Sequence, residues 1–232
     1  LSIEAEVSEI SNLFGTDLIR RIKSTTCGEI KELVQFERNS IKLKSSSIAR
    51  YILRNNQYNN VVLKILKLMV NRHVSTSYMD KSSNVLRDII SFSNLRLLFN
   101  NQDRDLKNKY VDFYENARKT DYYRKNQFFW IQYAIAVMDI KDYKSAFIFL
   151  ENASALANEK FSEDSYQVDN LRARLILERA IYENDETNAF ECFIKAHELI
   201  CSNKTPERHY PYRQTEFYIE FYKKFYIKSR YK

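Results

Sequence analysis

Phe128-Phe129-Trp130-Ile131-Gln132-Tyr133-Ala134-Ile135-Ala136-Val137-Met138 is apolar almost all round, broken only by Gln132. It falls far short of the ~20 residues that span a bilayer. Such a run is a helix sandwiched between other helices. The rest of the chain agrees. Two Gly and two Pro occur in 232 residues, where average usage would supply roughly sixteen and twelve. Turns that need positive φ are therefore scarce, which argues against sandwiches, barrels and parallel α/β folds and leaves long helices with short connections. With 44% apolar and 14% aromatic residues the chain can bury a sizeable core and is too hydrophobic for disorder.

Outward from this run, Asp142-Tyr143 closes one helix and opens another, in which Ala146, Leu150 and Ala153 recur at i, i+4 and i+7. Small–large–small spacing suits two helices in close approach. The same beat returns forty-three residues later at Ala189, Phe193 and Ala196. Leu171–Ile181 then takes the place of the first apolar helix, and Asn184-Asp185 that of the turn. This is a tandem helix–turn–helix repeat. Trp130, Ala134, Tyr143, Ala146, Leu150 and Ala153 resemble the tetratricopeptide pattern, with a period longer than its usual length of about 34 residues. Phe161–Gln167 lengthens the connection. Pro206 and Pro211 mark a turn before a last helix from Tyr212 to about Tyr231, which caps the stack.

Upstream, Ser2–Phe14 reads as a short helix stopped by Gly15, and Leu18–Ile30 is ambiguous. Leu33–Phe36 and Ile41–Leu43 alternate about Arg38-Asn39 as a two-stranded hairpin, with one irregular helix as the alternative. Ser45-Ser46-Ser47 offers an N-cap to a helix over Ile48–Arg54. Helices follow over Val61–Arg72, Ser83–Phe92 with a break near Ser93-Asn94, Leu95–Phe99 and Leu106–Arg118. Lys64, Lys67 and Asn71 share one face of the first, read as a solvated stripe. The expected architecture is all-α: a tetratricopeptide-like solenoid with a small N-terminal helix/β-hairpin element. Three segments are expected: 1–55, 56–122 and 123–232.

Net charge is +7, with residues 1–122 and 204–232 in positive surplus and 123–203 in deficit. The basic C-terminal cluster among aromatic rings admits nucleic-acid contact, but Phe217, Tyr218, Phe221, Tyr222 and Phe225 follow helical spacing and suit burial. Cys27, Cys192 and Cys201 are scattered with no paired spacing, which fits a reducing cytosol. Leu1 in place of an initiator Met suggests a fragment or processed chain. His73, His197 and His209 lack partners at metal-ligand spacing, and no phosphate-loop, dinucleotide, zinc-protease or serine-hydrolase signature occurs. No metal, cofactor or catalytic residue is expected.

One polar constellation stands out. Asn170, Arg174 and Glu178 lie at i, i+4 and i+8 on an otherwise apolar helix, facing the expected place of Gln132 and Tyr133. They are either a hydrogen-bonded network that fixes the register of two repeats or the polar floor of a binding groove; the structural reading is preferred.

Four stretches carry a resemblance: Asn39–Leu53, Phe129–Ala136, Tyr166–Ala180 and His209–Gln214. Together they resemble the C-terminal helical half of large bacterial STAND-type P-loop NTPases associated with anti-phage defence, some with a sirtuin-like or other effector upstream. The resemblance implies a winged-helix-like remnant around residues 1–55 and a cytoplasmic, non-catalytic sensor that recognises a foreign protein, such as a phage protein, and controls oligomerisation. Partners would be that protein and upstream domains of the same polypeptide, with no membrane. Neither a phosphate loop nor an effector motif is present, so no nucleotide-binding residue carries over. The recognition wall is expected to comprise Gln132, Tyr133, Asn170, Arg174, Tyr212 and Arg213. The alternative is a nucleic-acid-binding helical module.

Overall fold

The computed structural model describes residues 4–7, 11, 16–24, 34–37, 40–44, 47, 51, 59–73, 84–97, 105–159, 166–182, 184–202 and 214–227. The chain is predominantly helical and forms two compact units, Leu1–Lys125 and Asn126–Lys232.

The first unit opens with strand β1 (Glu4–Glu6), helix α1 (Thr16–Ser24) and the strands β2 (Val34–Glu37) and β3 (Ser40–Leu43). The hairpin expected about Arg38-Asn39 is present, with Val34 opposite Leu43 and Glu37 opposite Ser40. The helix expected over Ser2–Phe14 is not, at its start: Glu4–Glu6 pairs antiparallel with β3, giving a three-stranded sheet in the order β1-β3-β2. The physical reason is non-local. The open edge of β3 supplies backbone donors and acceptors that outweigh local helix preference, and the register sets Glu4 opposite Lys42. Lys23 lies 5.6 Å from the centre of the Phe36 ring. Of the cap and helix expected over Ser45–Arg54, only Ser47 and Tyr51 are described, both helical.

Helices α2 (Asn59–His73), α3 (Asn84–Ile90), α4 (Phe92–Arg96), α5 (Leu106–Arg118) and α6 (Asp121–Arg124) complete this unit. The break between α3 and α4 falls at Ser91, two residues before its expected place. Ser91 is extended (ψ 119°), and its carbonyl accepts from the amides of Asn94 and Leu95, which starts the new helix. The core is aromatic. Tyr110, Phe113 and Tyr114 of α5 are fully buried, Phe92 meets Tyr110 edge-on at 5.0 Å, and the Tyr114 hydroxyl donates to the Ile90 carbonyl at 2.8 Å. The stripe on α2 is only partly solvated: Lys64 is exposed, whereas Lys67 pairs with Asp112 and Asn71 accepts from Asn116 at 3.1 Å. Partners four residues apart on each helix thus tie α2 to α5.

The second unit consists of α7 (Gln127–Asp139), α8 (Tyr143–Glu159), α9 (Tyr166–Tyr182), α10 (Glu186–Ser202) and α11 (Thr215–Tyr222), the last continuing into a widened π-type turn over Lys223–Ile227. Contacts are most extensive within the pairs α7–α8 and α9–α10. Helix α9 also packs on α7 and α8, and α11 on α9. Ala146, Leu150 and Ala153 are fully buried, as are Ala189 and Ala196, so the small residues of the repeated beat sit where helices approach. The connection 161–165 and the segment holding Pro206 and Pro211 lie outside the described residues. No helix among the described residues is long and apolar enough to cross a membrane.

Candidate functional site: a charged and aromatic node beside the helix pairs

The turn from α7 to α8 positions the node. Helix α7 begins with Asn126, whose side chain accepts from the Phe129 amide at 3.3 Å. It ends in a double closure: the Lys141 amide donates to the Met138 carbonyl and the Asp142 amide to the Val137 carbonyl, both at 2.9 Å. This motif needs a left-handed residue, normally glycine, as the first of its two donors. Here that residue is Lys141, with φ 63°. Asp142 then caps α8, accepting from the Ser145 amide at 3.2 Å and the Ser145 hydroxyl at 2.8 Å.

The left-handed backbone aims the Lys141 side chain at α9. Its ammonium stands 3.8 Å from the Glu178 carboxylate, 5.3 Å from the centre of the Tyr182 ring and 6.0 Å from that of Tyr143. Glu178 is the buried member, with 5% of its side chain exposed against 57% for Lys141. Its other oxygen accepts from Arg174 Nε at 2.9 Å. The Arg174 guanidinium also lies 5.4 Å from the centre of the Phe217 ring on α11. A desolvated carboxylate thus binds two cations, one from its own helix and one from the α7–α8 turn, with aromatic rings beside both. Partial burial works to lower the Lys141 ammonium pKa, but Tyr143, Glu178 and Tyr182 together outweigh it and hold the group above the ordinary lysine value. Burial pushes the Tyr143 hydroxyl up, opposed by Lys141.

Asn170, Arg174 and Glu178 do share one helix, but only Arg174 and Glu178 pair. The Asn170 contact among these elements is through its backbone carbonyl, which accepts from the Gln214 side chain at 3.1 Å. At the opposite end, Lys224 donates to the Ile181 carbonyl at 2.6 Å, a cation on the last turn of α9. These two bonds join start to start and end to end, so α9 and α11 run parallel. Tyr133 is buried and stacks on Phe149 with centroids 4.0 Å apart, inside the α7–α8 pair. Gln132 is half-buried on α7. Tyr212 and Arg213 lie outside the described residues.

Sequence reasoning missed Lys141, Tyr143, Tyr182 and Phe217 as members of the node. One signal was available. A lysine standing between an apolar helix and an Asp N-cap occupies the position that normally calls for glycine, and a residue kept there against backbone preference has a side-chain reason. Among the described residues no group of three or more His, Cys, Asp or Glu is placed to hold a metal ion. Comparison with protein-family models, with curated proteins and with solved structures finds no match.

Proposed function

We propose that this chain is a protein-recognition segment, a non-catalytic sensor or scaffold acting within a larger machine. The observation that carries this is the parallel stacking of α9 and α11, held at both ends by Gln214 and Lys224. Helix pairs stacked side by side in this way hide their apolar flanks from water and leave a row of polar and aromatic side chains facing outward. A wall of that kind reads another protein's surface without altering it chemically. On this proposal the repeats form a tetratricopeptide-like solenoid. Arg174, Lys141 and the exposed Tyr182 form the centre of its contact surface, and the half-buried Gln132 and Asn170 belong to the same wall.

The sheet order β1-β3-β2, with helix between β1 and β2, supports a winged-helix-like N-terminal element. Together with the sequence resemblance it favours the sensor end of a STAND-type NTPase that detects a foreign, phage-derived protein in the cytoplasm and controls assembly. A phosphate-binding loop encoded upstream in the same reading frame would support that parentage. Its absence would remove it and leave the recognition role standing.

The recognition role itself is tested by cross-linking capture from cells that carry the intact polypeptide. Tyr182→Ala should lose the captured protein with an unchanged melting temperature, because the ring is largely exposed. Oligonucleotide binding that weakens steeply between low and moderate salt, with no captured protein, would overturn the proposal.

A further inference from the structure

We infer that Cys201 is a thiol-modification site that exchanges with low-molecular-weight disulfides, with His197 as its base. Cys201 and His197 stand four residues apart on α10, and both are exposed. Cys201 Sγ lies 3.5 Å from His197 Nε2. The other ring nitrogen, Nδ1, is 3.0 Å from the Tyr218 hydroxyl on α11. The imidazole is held in place besides: its ring lies parallel to Phe193, 3° off and 6.4 Å away, and edge-on to Tyr218 at 6.0 Å. Nucleophile, base and orienting group therefore form one chain across two helices, the arrangement that activates a thiol or hydroxyl elsewhere in protein chemistry.

With the Tyr218 oxygen accepting from Nδ1–H, Nε2 carries the lone pair that faces the sulfur. The step balances. The thiol proton passes to Nε2, and the sulfur attacks one sulfur of the disulfide. The S–S bond breaks, and the departing thiolate takes the proton from the imidazolium, leaving a mixed disulfide on Cys201 and one free small thiol. Cys201 lies in the last turn of α10, and the gain comes from proton transfer to His197 at the moment of attack. Cys192, half-buried on the same helix, packs against the Ala180, Ala189 and Phe221 cluster and serves as the internal reference.

The probe is glutathione disulfide, followed by intact mass and peptide mapping on the full chain, native and in urea. Native Cys201 should react roughly tenfold faster than the same cysteine in the unfolded chain, and ahead of Cys192. His197→Gln should return Cys201 to the unfolded rate, and Tyr218→Phe should give an intermediate rate. A native rate no greater than the unfolded one, or a His197→Gln rate equal to the parent's, overturns the inference. Should His197→Gln fail to fold, the native-to-unfolded ratio and Tyr218→Phe decide it.

Discussion

Lys141 concentrates the conflict between backbone and side chain. A non-glycine residue in the left-handed region costs about 1–2 kcal/mol, yet the position sends an ammonium to a carboxylate that is almost fully buried. Lys141→Gly removes both the strain and the ion pair, whereas Lys141→Ala keeps the strain and loses the pair. Urea denaturation should therefore rank Lys141→Ala below Lys141→Gly by about 1 kcal/mol. Among the described residues Arg174→Ala leaves Glu178 with only the outlying Lys141 as a cation, and the melting transition should fall by an amount equivalent to about 1–3 kcal/mol, moderated because Arg174 is itself a third exposed. Tyr123 supplies a pH test in the first unit. Burial, then the neighbouring Tyr122, raises its hydroxyl well above the ordinary tyrosine value. The folded state thus keeps a proton that the unfolded state releases above about pH 10. Stability falls as pH rises beyond that point, by at most about 1.4 kcal/mol per unit from this one group. Tyr123→Phe should flatten that alkaline decline in chemical denaturation series.

At the scale of elements, the short connection between α7 and α8 works because both of its backbone ends are satisfied within nine residues, 137–145. Asp142→Ala deletes the cap on α8 and should cost about 1 kcal/mol, read as an earlier thermal transition; Asp142→Asn should restore most of it. This element was legible beforehand, because a helix-closing Asp-Tyr between an all-round apolar helix and an Ala–Leu–Ala beat leaves few other structures open. The hairpin was legible through its alternation. Strand β1 was not, since three residues, Glu4-Ala5-Glu6, carry no periodicity strong enough to set against a helical neighbourhood. Only the edge of β3 makes them a strand. The same holds for the stripe on α2. Lys67 and Asn71 have the spacing of a solvated face, and α5 turns that face into a junction.

Across the whole molecule, each compact unit carries its own buried side chains: the aromatic group of α5 in Leu1–Lys125, and the Ala173, Leu177, Ala196 and Ile200 cluster with the Ala180, Ala189 and Phe221 cluster in Asn126–Lys232. Residues 126–232 produced alone should keep their helical circular dichroism and melt in one cooperative step; a broad, non-cooperative loss of signal would show that their core is incomplete. By itself the amino-acid sequence determined that this chain is helical, that its helices pair through tight turns, and which alanines lie between them. Those properties follow from periodicity and from residue types whose backbone preferences are local. Only the tertiary structure decided which polar groups meet. Arg174 and Glu178 pair without the Asn170 side chain, Lys141 reaches them across a turn, and Tyr218 brings an orienting hydroxyl to His197. Contacts between charged and hydroxyl groups depend on how helices distant in sequence are rotated and staggered, and helical spacing leaves that rotation and stagger open.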